Sequence, residues 1–167
     1  HVLGDFCYIT KGAFCNSDEK TAKGEFTKDD LISLEEDKKH PRKYIEGKDI
    51  KAYIIDRVRY IEYGTKRSPE QWYRVRFIEW YDIPKLFINW LGNMYVTMDI
   101  ENQFIHDGST IGLALWKDLA NVNNKSISSS IKKYSQHLRK EMEELSEQVN
   151  LYYLLAILNS TYASHLL

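Results

Sequence analysis

The sequence predicts an α+β fold with strands first and helices last. Short runs rich in β-branched and aromatic residues, broken by Gly, Pro, Asn and Asp, fill the first 120 residues, and a stripe of apolar residues at helical spacing takes over from 121 to 167. Strands and helices do not alternate along the chain, which argues against a doubly wound nucleotide-binding sheet. The strand-rich part reads as antiparallel, because its turns recur too closely for crossover helices.

The elements follow in order. Leu3 to Phe14, with Gly4 and Gly12, predicts one or two strands joined by a turn. Thr27 is an N-cap with Asp29 and Asp30 in the first turn, predicting a short acidic helix toward Lys39 that His40-Pro41 ends. Strands are then expected at Tyr44-Ile45, Ile50 to Ile55, Val58 to Tyr63, Tyr73 to Ile78, Leu86 to Trp90 and Tyr95 to Met98, with Gly47 turning the chain and Pro84 preceding a strand. Ile127, Ile131, Tyr134, Leu138, Met142, Leu145 and Val149 form one helical stripe, capped by Ser135 or an earlier serine. Beyond a bend near Asn150, Leu151, Leu154, Leu155, Leu158 and Tyr162 mark a buried helix.

The chain of 167 residues, 43% hydrophobic and 28% charged, suits one domain spanning 1–167. No apolar run approaches the roughly 20 residues of a membrane helix, so no membrane partner is expected. The chain opens without methionine and stops inside an apolar helical pattern, as expected of a piece of a longer polypeptide. Cys7 and Cys15 have no second pair and no adjacent histidine, so they read as reduced core thiols of a cytoplasmic protein rather than zinc ligands.

A formal net charge of -1 hides a strong asymmetry. Residues 25–37 carry six acids against Lys28, whereas residues 38–76 carry twelve bases against five acids, a net of +7. Aromatic residues interleave with these bases, as in Arg57, Arg59 and Tyr60 or Trp72, Tyr73, Arg74 and Arg76. Cations neutralise phosphates and planar polar groups reach base edges, so this segment points to nucleic acid, against the plain alternative of a solvated strand face.

Other chemistries find less support. Gly108-Ser109-Thr110-Ile111-Gly112 lacks the lysine of a phosphate loop and reads as a turn. Glu46-Gly47-Lys48, with Asp37 or Asp56, resembles the acid-and-lysine half of a Mg²⁺-dependent nuclease site, which keeps a nuclease as the rival reading. His106-Asp107 reads as a loop pair without a nucleophile, and the remaining histidines are scattered, so no metal ligand or catalytic residue is assigned. An RNA-binding or protein-interaction module is the third alternative.

Four pieces occur in a telling order: Tyr44-Ile45-Glu46-Gly47-Lys48-Asp49-Ile50-Lys51-Ala52-Tyr53, Arg59-Tyr60-Ile61-Glu62-Tyr63, Asp82-Ile83-Pro84-Lys85-Leu86-Phe87-Ile88 and Tyr153-Leu154-Leu155-Ala156-Ile157-Leu158-Asn159-Ser160. Together they resemble the TaqI-like C-terminal specificity domain, the target recognition domain of adenine-specific DNA methyltransferases and restriction-modification enzymes, and are similar to the recognition domains of type I specificity subunits. The resemblance implies a non-catalytic domain that selects a double-stranded DNA site. It further implies that S-adenosylmethionine and an Asn-Pro-Pro-Tyr type motif, absent from this sequence, belong to a methyltransferase domain in cis or subunit in trans. A recognition domain facing that domain would supply half of the clamp that base flipping requires. Lys85, at a strand start within the motif, is the family-motif residue expected on the DNA side. Charge and loop placement add Lys66, Arg67, Arg74 and Arg76 for phosphates and guanine, and Asn89, Trp90 and Asn93 for base edges. In type I subunits helices like the 127–149 stripe bind methyltransferase subunits; the alternative is packing on this chain's own sheet.

Overall fold

The computed structural model describes residues 1–15, 26–89, 91, 93–101, 104–134, 136–161 and 163. It has the predicted α+β order, with mostly antiparallel strands followed by helices. One helical turn, α1 (Leu3–Phe6), leads into β1 (Cys7–Lys11). The short strands β2 (Ile32–Ser33), β3 (Arg42–Ile45), β4 (Ile50–Lys51), β5 (Ile54–Ile55) and β6 (Arg59–Ile61) follow. Next come β7 (Lys85–Asn89), β8 (Val96–Asp99), β9 (Phe104–His106) and β10 (Thr110–Leu115), and then α2 (Lys125–Tyr134), α3 (Arg139–Glu147) and α4 (Leu151–Leu158).

Two four-stranded sheets result, ordered β1-β10-β7-β8 and β2-β6-β3-β9, beside the β4–β5 hairpin. Every pair is antiparallel except β3 with β9. Two-residue alternation divides the first sheet's residues between two cores. Cys7, Leu86, Ile88, Leu113 and Leu115 pack against Leu151, Leu154 and Leu155 of α4. Tyr8, Ala114 and Trp116 join Trp80, Tyr81, Tyr44 and Ile61 in the other core, which also takes Ile127 of α2 and Met142 of α3. No described helix is long and apolar enough to cross a membrane.

The helix predicted from Thr27 to Lys39 is not formed. Asp30 accepts hydrogen bonds from the Thr27 N–H and hydroxyl, but the turn they cap is a three-residue 3-10 turn, Asp29–Leu31. Ile32 then extends to pair with Ile61, Ser33 turns the chain through Glu35, and Asp37 accepts the N–H groups of Lys39 and His40. Short polar side chains thus bond the backbone groups that a helix would have used. The predicted strand from Tyr73 to Ile78 is likewise a loop, with a single β-bridge from Arg74 to Phe14 among the described residues, before the 3-10 helix Ile78–Asp82 buries Trp80 and Tyr81.

The stripe from Ile127 to Val149 is two helices rather than one. Leu138 is the N-cap of α3, 73% exposed, and its N–H donates to Glu141, a glutamate at the third helical position. Arg139 fixes the new direction by donating to the carbonyls of Leu119, Ala120 and Val122. Ser135, the expected cap, lies outside the described residues. Asn150 caps α4 by accepting the Tyr152 N–H, at the predicted bend. At the other end Asn159 pairs with both backbone groups of Val96, at 3.0 and 2.8 Å, covering the edge of β8.

His106 is not a loop residue: it ends β9 and is fully buried. Trp80 Nε1–H donates to its Nε2 at 2.9 Å, so the ring is neutral with its proton on Nδ1, directed to Thr110 Oγ1 at 2.6 Å. Thr110 in turn donates to the Asp107 carbonyl at 2.7 Å. Burial, with Lys85 and Arg76 adding repulsion, holds the His106 pKa well below the ordinary histidine value. Gly112, on β10, leaves room for both rings: a Cβ there would lie 2.4 Å from Trp80 Cζ2 and 2.9 Å from the imidazole. Gly112→Ala should therefore cost about 2 kcal/mol through overpacking, read as a lower urea midpoint at unchanged m-value.

Candidate nucleic-acid interface

Much of the basic segment is engaged within the molecule. Glu46, buried where β3 enters the 3-10 turn Gly47–Asp49, takes Lys28, Lys48 at 2.7 Å and Arg59 at 3.2 Å. Arg59 also holds Asp49, which accepts the Glu46 N–H at 2.8 Å. Glu62, with a side chain 1% exposed, is gripped by Arg67 through Nε and Nη2 and by Lys39 at 3.0 Å, and Thr65 donates to it as well. Burial opposes ionisation of both glutamates, but the hydrogen bonds from these donors outweigh it and hold each carboxyl down at about 2. With Arg42 bound to Asp82, five of the twelve bases in 38–76 have acidic partners among the described residues.

The aromatic interleaving has a similar origin. Trp72, Trp80, Tyr81 and Tyr44 are core residues, and the cations lie over rings of their own chain: Arg42 over Tyr63, Arg59 over Tyr44, Arg67 over Phe26. Arg74 is the exposed case, 5.8 Å from the Phe14 ring and 5.3 Å from that of Tyr73.

Several predicted contact residues are therefore unavailable as drawn. Lys85 is the clearest correction. Its side chain is 0% exposed because strand alternation points it into the core, where it faces Asp99 at 3.3 Å and donates to the Ile83 carbonyl at 2.7 Å. Burial, only partly offset by Asp99, lowers its pKa. Arg67 is committed to Glu62 and the Asp30 carbonyl, and half-buried Arg76 donates to the Gly12 carbonyl at 3.2 Å. Trp90 lies outside the described residues. Lys66, Arg74 and Asn93 are exposed; Asn93 donates to Tyr95 Oη at 2.9 Å, and half-buried Asn89 accepts the Leu91 N–H at 3.1 Å.

Two adjoining pockets and a separate groove remain at the surface. A polar cleft of about 480 Å³ is lined by Phe14, Lys28, Tyr44, Glu46, Lys48, Arg59 and Asp107 among others. An adjoining pocket of about 320 Å³ shares Lys28, Glu46, Lys48 and Asp107 and adds Asn89, Leu91 and Ser109. Arg74 on Phe14 thus borders one end and Asn89 the other. Gly47 sits between, where a Cβ would meet the Ser109 carbonyl at 2.8 Å, which lets the turn carrying Lys48 approach the β9–β10 turn. Beyond Asn89, an apolar groove of about 760 Å³ brings Asn93 and Tyr95 beside Ala52 of the β4–β5 hairpin. That hairpin exposes Lys51, Tyr53 and Ile54, and the Tyr53 N–H donates to the Val96 carbonyl at 2.9 Å. Tyr53, 55% exposed, has φ +67, a left-handed conformation that disfavours a bulky residue.

Sequence reasoning missed Lys28, submerged in the acidic segment, and Tyr53, whose backbone conformation has no signature in composition. The nuclease arrangement does not fit these residues. Three cations already surround Glu46 and Arg59 holds Asp49, so a divalent cation there would meet strong like-charge repulsion. No protein-family model matches the chain, and no curated protein matches it.

The low carboxyl pKa values of Glu46 and Glu62 mean that their contribution to stability is present above the unfolded value near 4.5 and is lost as pH falls toward 2. Urea midpoints measured between pH 5 and pH 2 should fall steeply over that window. At neutral pH Arg67→Ala should cost about 2 kcal/mol by leaving Glu62 underpaired, whereas Lys66→Ala should stay within about 0.5 kcal/mol of the parent.

Proposed function

We propose that this chain is a double-stranded DNA target-recognition module of the restriction-modification type, working beside a methyltransferase domain in cis or subunit in trans that binds S-adenosylmethionine. The observation that carries the reading is that Arg74 and Asn89, chosen separately as phosphate and base-edge contacts, border one cleft through Phe14, Lys28 and Lys48. The β4–β5 hairpin, which exposes Lys51 and Tyr53, borders through Ala52 a separate groove that Asn93 also lines.

The chemistry suits a duplex. Lys48, Lys51 and Arg74 supply exposed cations for phosphates, while Asn89 and Asn93 carry amides that can pair with adenine N6 and N7 in the major groove. A two-stranded ribbon such as the β4–β5 hairpin is narrow enough to enter that groove. Tyr53 keeps a costly backbone conformation at an exposed tip, a feature that clusters at binding sites. Two acids of the segment, Glu46 and Glu62, are paired with Lys28, Arg59 and Arg67, which offsets their repulsion of phosphates.

Anisotropy measurements on duplex DNA across a salt series test the proposal. Each phosphate contact contributes about -0.9 to the log-log slope, so the three cations should give a slope of about -2.7. Arg74→Ala and Lys51→Ala should each flatten it by about 1. Asn89→Ala should weaken binding only to a selected target sequence, by about 1–3 kcal/mol. Absence of binding at low salt, or equal affinity for single-stranded RNA, would overturn the reading.

A further inference from the structure

His137 is distant in sequence from His1 and Asp5 but adjacent to them in space. The Asp5 carboxylate oxygen Oδ2 lies 3.5 Å from His1 Nδ1 and 4.0 Å from His137 Nε2, and the three ligand atoms all lie within 4.8 Å of one another. Among the described residues this is the group of histidine, cysteine and carboxylate side chains close enough to share an ion. We propose that it binds a divalent transition-metal ion of the zinc type, independently of the DNA edge.

The donor set carries the choice of metal. Two imidazoles and one carboxylate suit zinc and its first-row neighbours, whereas magnesium and calcium prefer oxygen ligands. Metal–ligand bonds of about 2.0–2.1 Å in a tetrahedral site place donors about 3.3 Å apart, so the observed spacings close with small rotations of the two imidazoles. His1 is half exposed and His137 about one-third exposed, with ring centroids 5.6 Å apart. Asp5, by contrast, is buried and anchored, its Oδ2 also accepting the Val2 N–H at 2.8 Å.

A second observation points the same way. His137 presents Nε2 to Asp5 while its Nδ1 faces Glu141 Oε2 at 3.5 Å. A carboxylate behind the far ring nitrogen is the arrangement that fixes the tautomer of a metal-bound histidine. Three protein ligands leave a fourth position for water. The ion would tie α1 to the joint between α2 and α3, two regions that already pack together.

Tag-free protein, stripped with EDTA and titrated with Zn²⁺ and with Co²⁺, provides the test. One equivalent should bind, the thermal midpoint should rise with free Zn²⁺ and revert with EDTA, and Co²⁺ should develop the intense visible absorption of a tetrahedral site. Asp5→Asn, whose amide oxygen can still accept the Val2 N–H, and His137→Ala should each weaken binding at least about tenfold, and Glu141→Gln about tenfold. His40→Ala, at a separate histidine, should bind as the parent does. Failure to take up one equivalent saturably, or unchanged uptake in the Asp5→Asn/His137→Ala double variant, would overturn the site and show the cluster to be an ionic contact between Asp5 and two histidines.

Discussion

The Glu46 carboxylate is the constraint around which the rest of the structure is arranged. It is buried at the junction of β3 with the turn Gly47–Asp49, and an unpaired charge there would be prohibitively costly. Three cations from separate places answer it: Lys28 ahead of β2, Lys48 on the turn itself and Arg59 from β6. Arg59 is shared with Asp49, whose carboxylate accepts the Glu46 N–H, so two acids and three bases close a compact network. Removing Arg59, the base shared by both acids, would leave Asp49 underpaired in a low-dielectric place, and this sharing fixes β3 and β6 against the turn more sharply than apolar contact alone would.

A second network performs the same service between the sheets. Trp80, His106 and Thr110 link the 3-10 helix Ile78–Asp82, β9 and the start of β10 by directional hydrogen bonds, with Gly112 providing the space. Lys85 and Asp99 are opposite each other across β7 and β8, their charges enclosed beside the Trp80 and Phe87 rings. Polar groups inside a core are tolerable only when satisfied, and here they discriminate among packings that volume alone would allow. The residues proposed to meet DNA sit on the strand ends, turns and loops that this frame holds.

What could be read from the sequence divides along physical lines. The α+β order, the Gly47 turn, the strand after Pro84 and the bend at Asn150 were legible because each rests on local chemistry or strict periodicity. The false helix after Thr27 arose from a real cap, since Thr27 and Asp30 do bond to each other, but nothing local announced that Ile32 would pair with Ile61. The single long stripe failed for a related reason: Ile127 and Met142 share a core while belonging to different helices, so spacing survives a break at Leu138 that it does not reveal. In the candidate site, Arg74 and Asn89, expected from charge and loop position, lie at opposite ends of the cleft, although Asn89 ends a strand. Lys85 was misread because a charged residue at a strand start gives no sign of an acid directly across the ladder.

The arithmetic of charge shows why such misreadings cluster. A segment with a net of +7 invites the picture of a basic surface, and net charge along a chain counts every cation as available. Availability depends instead on whether an acid is buried nearby, because a buried carboxylate recruits cations with an energy that a solvated phosphate competes against only at the surface. Glu46 and Glu62 recruit Lys28, Lys48 and Arg59, and Lys39 and Arg67, respectively. Of these Lys48 alone combines its internal partner with a side chain two-thirds exposed at the mouth of the cleft. That double role makes Lys48 the point where the fold's central ion network can respond to an external anion: a phosphate approaching the cleft would compete with Glu46 for one cation while Lys28 and Arg59 keep the carboxylate paired.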